Sequence, residues 1–135
     1  MPEYDLVDYL LMAHEKGASD LHITPGAPPT LRVYGALQPL TERTLGPEAS
    51  RGLVYGFLKE TQRARLEHEW ELDFAVDVEG VGRFRANACY VQGTVEANFR
   101  FIPQQVAGLA ALGHSPTVEE WCRAKAGLVL VTGSS

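Results

Sequence analysis

The sequence has few cysteines and no long apolar run, and each absence excludes a class of protein. Cys89 and Cys122 are the only cysteines among 135 residues. Neither belongs to a CxxC pair or has a second ligand nearby, which argues against a disulfide-stapled or zinc-bound fold and predicts reduced core thiols. No apolar stretch approaches the roughly 20 residues that span a bilayer, and the N-terminus lacks the pattern of a signal peptide. The sequence therefore predicts a cytoplasmic protein.

Runs of basic residues are also missing. The 12 Lys and Arg residues against 17 Asp and Glu residues leave a net charge of −5, which argues against a protein that coats nucleic acid. Metal-ligand spacing is absent as well, because His22 is accompanied only by Asp20. We therefore expect His22 to pack or to form a hydrogen bond, and we expect no metal site. A hydrophobic content of 45% is enough for one domain with a core.

The last segment is the most informative one. Residues 127–133 read GLVLVTG, an apolar β-branched run that leads into glycine, which is the pattern of a buried strand entering a phosphate-binding loop. The lysine and the Ser/Thr that complete a GxxxxGK[ST] motif do not follow, so Thr132 and Gly133 would be only its beginning. A plain C-terminal strand fits the same residues equally well. In either case we expect no NTP hydrolysis by this chain alone.

Residue periodicity predicts an α+β fold. Helical spacing predicts helices at residues 6–16, 44–58 and 60–69. Alternation of apolar and polar residues predicts short strands at residues 19–23, 31–34 and 37–40.

Three longer strands between residues 71 and 102 can be aligned from the sequence alone. Each has an alternating apolar set, and a one-residue slip would expose the whole set to water. The alignment predicts a three-residue loop at 79–81 and a two-residue turn at 92–93. The residues predicted to be buried include Phe84, Phe99 and Phe101. The pairs predicted on the opposite face are Asp77 with Arg83, Asn87 with Asn98, and Arg85 with Arg100.

The pair of Arg85 and Arg100 is unfavourable by itself, because like charges directly opposite each other cost up to about 1 kcal/mol. Two interpretations are open from the residues alone. Asp73 and Asp77, on the same face, would soften the repulsion while the long side chains extend into water. Alternatively the pair binds an anion, since two guanidinium forks match the oxygens of a phosphate. The second interpretation predicts two exposed guanidinium groups, close together and without a full set of carboxylate partners.

Several blocks occur together, in an order that resembles the type IV pilus retraction ATPases of the type II/IV secretion ATPase family. They are GASDLHIT at 17–24, PP at 28–29 followed by LRV at 31–33, ELDF at 71–74, GRFRAN at 82–87, FRFIP at 99–103 and GLVLVTG at 127–133. The similarity covers essentially the whole chain. It resembles the N-terminal domain of such an ATPase, cut at the entrance to its phosphate loop. Met1 running directly into the first helix favours the retraction branch.

The resemblance implies two parts. Residues 1–103 would form a PAS-like α+β domain, an antiparallel sheet with helices packed on it. Residues 104–135 would hold a linker, short helices at 106–113 and 118–124, and the first strand of a truncated RecA-like core, starting at Leu128.

The resemblance also implies a function. The full-length parent would be an ATP hydrolase that binds ATP and Mg²⁺, forms a hexamer and works with the pilus platform protein, peripheral at the inner membrane. This domain would bring Arg85 and Arg100 to ATP at the catalytic core, while the isolated chain would hold no cofactor, metal or catalytic residue. Two alternatives stay open: a stand-alone PAS-like sensor with an apolar pocket lined by Trp70, Tyr90 and Phe99, or the equivalent domain of a pilus assembly or type II secretion ATPase.

Overall fold

The computed structural model describes residues 4–134, and the chain divides after Gln104 into two units. The helices of the described residues are α1 (Leu6–Glu15), α2 (Pro47–Phe57), α3 (Glu60–Glu69) and α4 (Pro116–Cys122). The strands are β1 (Asp20–Ile23), β2 (Thr30–Val33), β3 (Ala36–Pro39), β4 (Glu71–Val78), β5 (Gly82–Val91) and β6 (Thr94–Ile102). The first unit therefore contains every element up to β6, and the second contains α4.

The helices begin and end at residues suited to those positions. Asp5 caps α1 in a capping box, in which its side chain accepts from the backbone N–H of Asp8 and the Asp8 side chain accepts from that of Asp5. Pro47 lies in the first turn of α2, where its missing N–H costs nothing. The residue after α3, Trp70, has a left-handed backbone with φ 64°. Across residues 4–134, no helix is both long and apolar enough to cross a bilayer.

The strands of the described residues form one antiparallel sheet, in the order β3-β2-β1-β6-β5-β4. The pairing of β1 with β6 joins the N-terminal strands to the C-terminal ones. Contacts of α1 with β1, α2 with β6, and α3 with β4 and β5 hold these helices on the sheet. The predicted α+β fold, an antiparallel sheet with helices packed on it, is confirmed.

The predicted register of the three long strands is also confirmed. The observed pairs include Asp77–Arg83, Val76–Phe84, Phe84–Phe101, Arg85–Arg100, Ala86–Phe99 and Asn87–Asn98. The loop at 79–81 and the turn at 92–93 lie where the alternation places them. Gln92 and Gly93 both have positive φ, 51° and 79°, as a type I′ hairpin turn requires.

The core lies between one face of the sheet and helices α1 to α3. Its fully buried large residues include Leu10, Leu21, Ile23, Leu31, Leu66 and Phe99. Phe99 meets Phe74 edge-on, with ring centroids 6.2 Å apart. The burial predicted for Phe84 and Phe99 is confirmed, whereas Phe101 is only half-buried. Phe101 lies near the end of β6, at the edge of the core, where its ring contacts both His14 and the buried Phe84.

The second unit differs from the sequence-based expectation. Residues 106–113 do not form a helix, since 106–108 have no regular structure and 109–113 form turns, and the helix predicted at 118–124 instead begins at Pro116 and ends at Cys122. Residues 128–131 have no regular secondary structure and are 56–95% exposed. A strand needs a neighbour to share its backbone hydrogen bonds, and within residues 4–134 no strand pairs with this segment. Cys122 is exposed and Cys89 half-buried, so neither is the core thiol that the sequence suggests.

A matched pair of leucine substitutions tests the two faces of the sheet. Leu31 on β2 is fully buried, whereas Leu37 on β3 is 59% exposed. We expect Leu31→Ala to lower the free energy of unfolding by about 2 to 5 kcal/mol, because it leaves a cavity in the core. Leu37→Ala should change it by less than about 0.5 kcal/mol. Urea denaturation followed by circular dichroism measures both, and equal losses would contradict the assignment of faces.

Candidate functional site

The face of the sheet opposite the helices is polar and carries the predicted arginine pair. One line of directly opposed residues crosses neighbouring strands, with Arg32 on β2, Asp20 on β1, Arg100 on β6 and Arg85 on β5. We call these four residues the arginine row. Three positive charges and one negative charge give the row a net charge of +2. Beyond Arg85 the next residue in line is Ala75 on β4, which offers no compensating charge.

Asp20 is the buried centre of the arginine row, with only 8% of its surface exposed. Its Oδ1 accepts a hydrogen bond from Nε of Arg100 at 2.8 Å, and its Oδ2 accepts one from the hydroxyl of Ser19 at 2.8 Å. Nε of Arg32 lies 3.8 Å from Oδ2. Burial alone would raise the pKa of Asp20, but the hydrogen bonds from Arg100 and Ser19 and the charge of Arg100 outweigh it and lower the pKa. The carboxylate is therefore ionised at neutral pH.

Arg100 and Arg32 both approach Asp20, but they are held differently. The side chain of Arg100 is 72% exposed and is anchored at Nε by the 2.8 Å contact with Asp20. Arg32 also donates from Nη1 to the carbonyl oxygen of Gly35 at 3.1 Å, which ties its terminal fork to the β2–β3 turn. The guanidinium of Arg32 therefore contacts Asp20 through Nε and Gly35 through Nη1, whereas the terminal nitrogens of Arg100 lie in solvent.

Arg85 is exposed and forms neither an ion pair nor a hydrogen bond with any residue of the described 4–134 segment. The two carboxylates expected to soften its repulsion from Arg100 contact other residues. Asp77 lies 3.9 Å from Nε of Arg83, and Asp73 accepts from Nδ2 of Asn87 at 3.2 Å. Each carboxylate therefore contacts the residue directly opposite it on β5 rather than Arg85, and a diagonal softening of the repulsion stays a prediction.

Sequence reasoning found Arg85 and Arg100 but missed Asp20 as the carboxylate beside them. Asp20 and Arg100 are 80 residues apart, and their contact exists only because β1 pairs with β6. Alternation within one strand says nothing about which strand lies next to it. The available signal is that Asp20, unlike Leu21, is predicted on the polar face, where a small acidic residue is a suitable partner for arginine.

His22 lies beside the arginine row and forms the hydrogen bond expected of it. Its Nδ1 is 2.6 Å from Oδ1 of Asn98. Its Nε2 is buried and has no hydrogen-bond partner within residues 4–134. Over the same residues, no three His, Cys, Asp or Glu side chains are grouped closely enough to hold a metal ion.

The other predicted site residues do not belong to the arginine row. Thr132 and Gly133 belong to the second unit, in an exposed segment without regular secondary structure, and their assignment to a phosphate loop stays a prediction. The pocket suggested for a sensor is not formed by its three residues, because Phe99 is fully buried in the core while Trp70 is 69% exposed. Tyr90 instead forms a hydrogen bond with Tyr55, and their hydroxyl oxygens lie 2.5 Å apart.

Comparison with known proteins gives a consistent result. The chain is 36% identical over 121 residues to the type IV pilus ATPase PilU of Pseudomonas aeruginosa, covering 90% of this chain and 32% of that protein. It is 36% identical over 129 residues to the type IV pilus retraction ATPase PilT of the same organism, covering 96% of this chain and 38% of that protein. The chain thus spans about a third of the length of these curated relatives, between 32% and 38%. No protein-family model matches it.

A solved structure shows the same fold. The crystal structure of the pilus retraction motor PilT with bound ADP matches with a TM-score of 0.76 and 41% identity, covering 97% of this chain and 38% of that one. The match spans the N-terminal part of that motor.

The lowered pKa of Asp20 makes the stability of the fold depend on pH. The ionised carboxylate stabilises the folded state at any pH above its unfolded value of 3.8, and this contribution disappears as the pH falls through the lower folded value. Relative to wild type, Asp20→Asn should lower the free energy of unfolding at pH 7 by about 1 to 3 kcal/mol, because a charge-assisted hydrogen bond is lost. The gap should be constant above pH 3.8 and shrink as the pH falls below it, through the lower folded pKa. Thermal melts above and below this pH measure it, and a gap that stays constant throughout would contradict the assignment.

Proposed function

We propose that this chain, a homologue of the N-terminal domain of the type IV pilus retraction ATPases, supplies Arg85 and Arg100 to ATP bound at the catalytic core of a hexameric retraction motor. The observation that carries the proposal is the incomplete pairing of these two arginines. They stand directly opposite each other, Arg85 has no partner within residues 4–134, and Arg100 is anchored to Asp20 through Nε. Their repulsion costs up to about 1 kcal/mol, and a bound anion would remove it.

The phosphates of a nucleotide fit this pair chemically. Each guanidinium offers a planar set of donors that matches phosphate oxygens. During hydrolysis, negative charge spreads over the oxygens of the γ-phosphoryl group, and donors already fixed in place stabilise it without reorganising. A sheet with a packed core behind it is a rigid support for such donors. In this proposal the chain contributes the donors, and Mg²⁺ would be held by the core of the parent.

The rest of the proposed mechanism concerns the parent protein. ATP and Mg²⁺ would bind at its RecA-like core, which begins within residues 104–135 and includes Thr132 and Gly133 at the start of the phosphate loop. Hydrolysis would move the PAS-like domain, residues 1–103, against the core and against neighbouring subunits. The hexamer would pass this motion to the platform protein at the cytoplasmic side of the inner membrane, with no part played by nucleic acid. Similarity to the retraction ATPase PilT favours retraction over pilus assembly or type II secretion.

Alanine substitutions in the full-length ATPase test the proposal. Arg85→Ala and Arg100→Ala should each lower ATP turnover on the order of 10²-fold, the usual effect of losing one transition-state donor. Arg85 has no partner within residues 4–134, so Arg85→Ala should change the melting temperature little, whereas Arg100→Ala should also lower it by removing the hydrogen bond to the buried carboxylate of Asp20. Arg83→Ala is the matched control, because Arg83 lies on the same strand and face and makes an exposed contact with Asp77, worth at most about 1 kcal/mol.

A melting temperature lowered in Arg85→Ala and Arg100→Ala, with wild-type turnover, would make the two arginines structural and reject the nucleotide assignment.

The chain by itself should neither hydrolyse ATP nor bind Mg-ATP tightly. The 135 residues contain no GxxxxGK[ST] motif, and the lysine and Ser/Thr of that motif hold the β- and γ-phosphates and Mg²⁺. Phosphate release and isothermal titration calorimetry on the purified chain measure turnover and binding. Turnover that co-purifies with the chain through successive columns would refute this prediction.

A further inference from the structure

We infer that Asp20 is a positioning residue for the proposed nucleotide site: its carboxylate holds Arg100 by Nε, so that the outer fork of that guanidinium is presented beside Arg85 to the oxygens of a phosphate. The inference rests on the proposed function, since it concerns the same two arginines. Asp20 is not a ligand itself, because a carboxylate repels phosphate. It acts on the anion only through Arg100.

The geometry of the contact supports this role. An arginine has five N–H donors fixed in one plane, and the hydrogen bond to Oδ1 of Asp20 uses the donor on Nε, at 2.8 Å. A contact through the two terminal nitrogens would occupy the fork that a phosphate needs. Anchoring at Nε instead fixes the plane of the guanidinium and leaves its outer edge open, and the side chain is accordingly 72% exposed.

Asp20 is itself well fixed, as a positioning residue must be. It lies on β1 between β2 and β6 and is 92% buried, since only 8% of its surface is exposed. The hydroxyl of Ser19 donates to Oδ2 at 2.8 Å, which sets the plane of the carboxylate. Oδ1 is thereby aimed at Arg100.

Positioning and simple charge balance predict opposite results for the loss of Asp20. Removing its negative charge raises the net charge of the arginine row from +2 to +3. If Asp20 only balanced charge, its loss would strengthen the attraction for an anion. If it positions Arg100, its loss weakens binding even though the row becomes more positive. The sign of the change therefore separates the two roles.

The test titrates the chain with inorganic tripolyphosphate at fixed ionic strength and follows the side-chain Nε–H signals of Arg85 and Arg100 by NMR. We expect Asp20→Asn to weaken binding about tenfold, the equivalent of one charge-assisted hydrogen bond. Asp77→Asn is the matched control, because it removes the same charge from the same face at a residue that is 76% exposed and contacts Arg83. It should bind as tightly as wild type or more tightly.

Two further measurements make the result decisive. In an Arg100→Ala background, Asp20→Asn should not weaken binding further, since Asp20 positions only Arg100 and its lost negative charge can only favour an anion. In the wild-type chain, the Nε–H of Arg100 should exchange with water more slowly than that of Arg85. This measurement does not depend on the folding of any variant. Equal exchange rates, or tighter binding by Asp20→Asn, would overturn the inference and leave the proposed function standing. A titration to millimolar tripolyphosphate in which neither wild-type arginine signal moves would also overturn the inference, whereas the proposed function is rejected by wild-type ATP turnover of Arg85→Ala and Arg100→Ala in the full-length ATPase.

Discussion

The pairing of β1 with β6 is the interaction on which the rest of the structure depends. It joins two sets of consecutive strands, β1 to β3 and β4 to β6, into one sheet. On the core side it brings Leu21 against Phe99, both fully buried. On the polar side the same pairing brings Asp20 against Arg100. The pairing of β1 with β6 therefore contributes to the core on one face of the sheet and to the candidate site on the other.

The polar face holds more positive charge along the arginine row than its carboxylate can neutralise. Elsewhere on this face two aspartates have partners across the strands, Asp77 with Arg83 and Asp73 with Asn87. Where Arg100 meets Arg85, two positive charges lie directly opposite each other. A surface selected only for stability would be expected to lose one of two directly opposed arginines, because each substitution would relieve repulsion. Their presence together favours a partner that brings negative charge.

The sequence predicted the strand register that depends on local periodicity, but not the contacts that depend on pairing between strands distant in sequence. Alternation with two short turns determined the register of β4 to β6, including the pairing of Arg85 with Arg100. The contact of Asp20 with Arg100 was missed, because nothing within a strand specifies its neighbour in the sheet. In the second unit residues 109–113 form turns and residues 128–131 have no regular secondary structure, and the assignment of 128–131 to the first strand of a RecA-like core stays a prediction. An apolar run such as 128–131 specifies burial but supplies no partner strand.

A strand register is a stronger constraint on a functional side chain than a loop conformation would be. Moving β5 by one residue relative to β6 would bring Arg85 to the core face and expose Phe84, which is 2% exposed in the structure. The free energy that buries the phenylalanines therefore also fixes the positions of the arginine Cα atoms. Packing of the core does not determine the direction in which each arginine side chain extends above the sheet. A buried carboxylate next to Arg100 restricts that remaining freedom, whereas Arg85, facing Ala75 on its other side, keeps it.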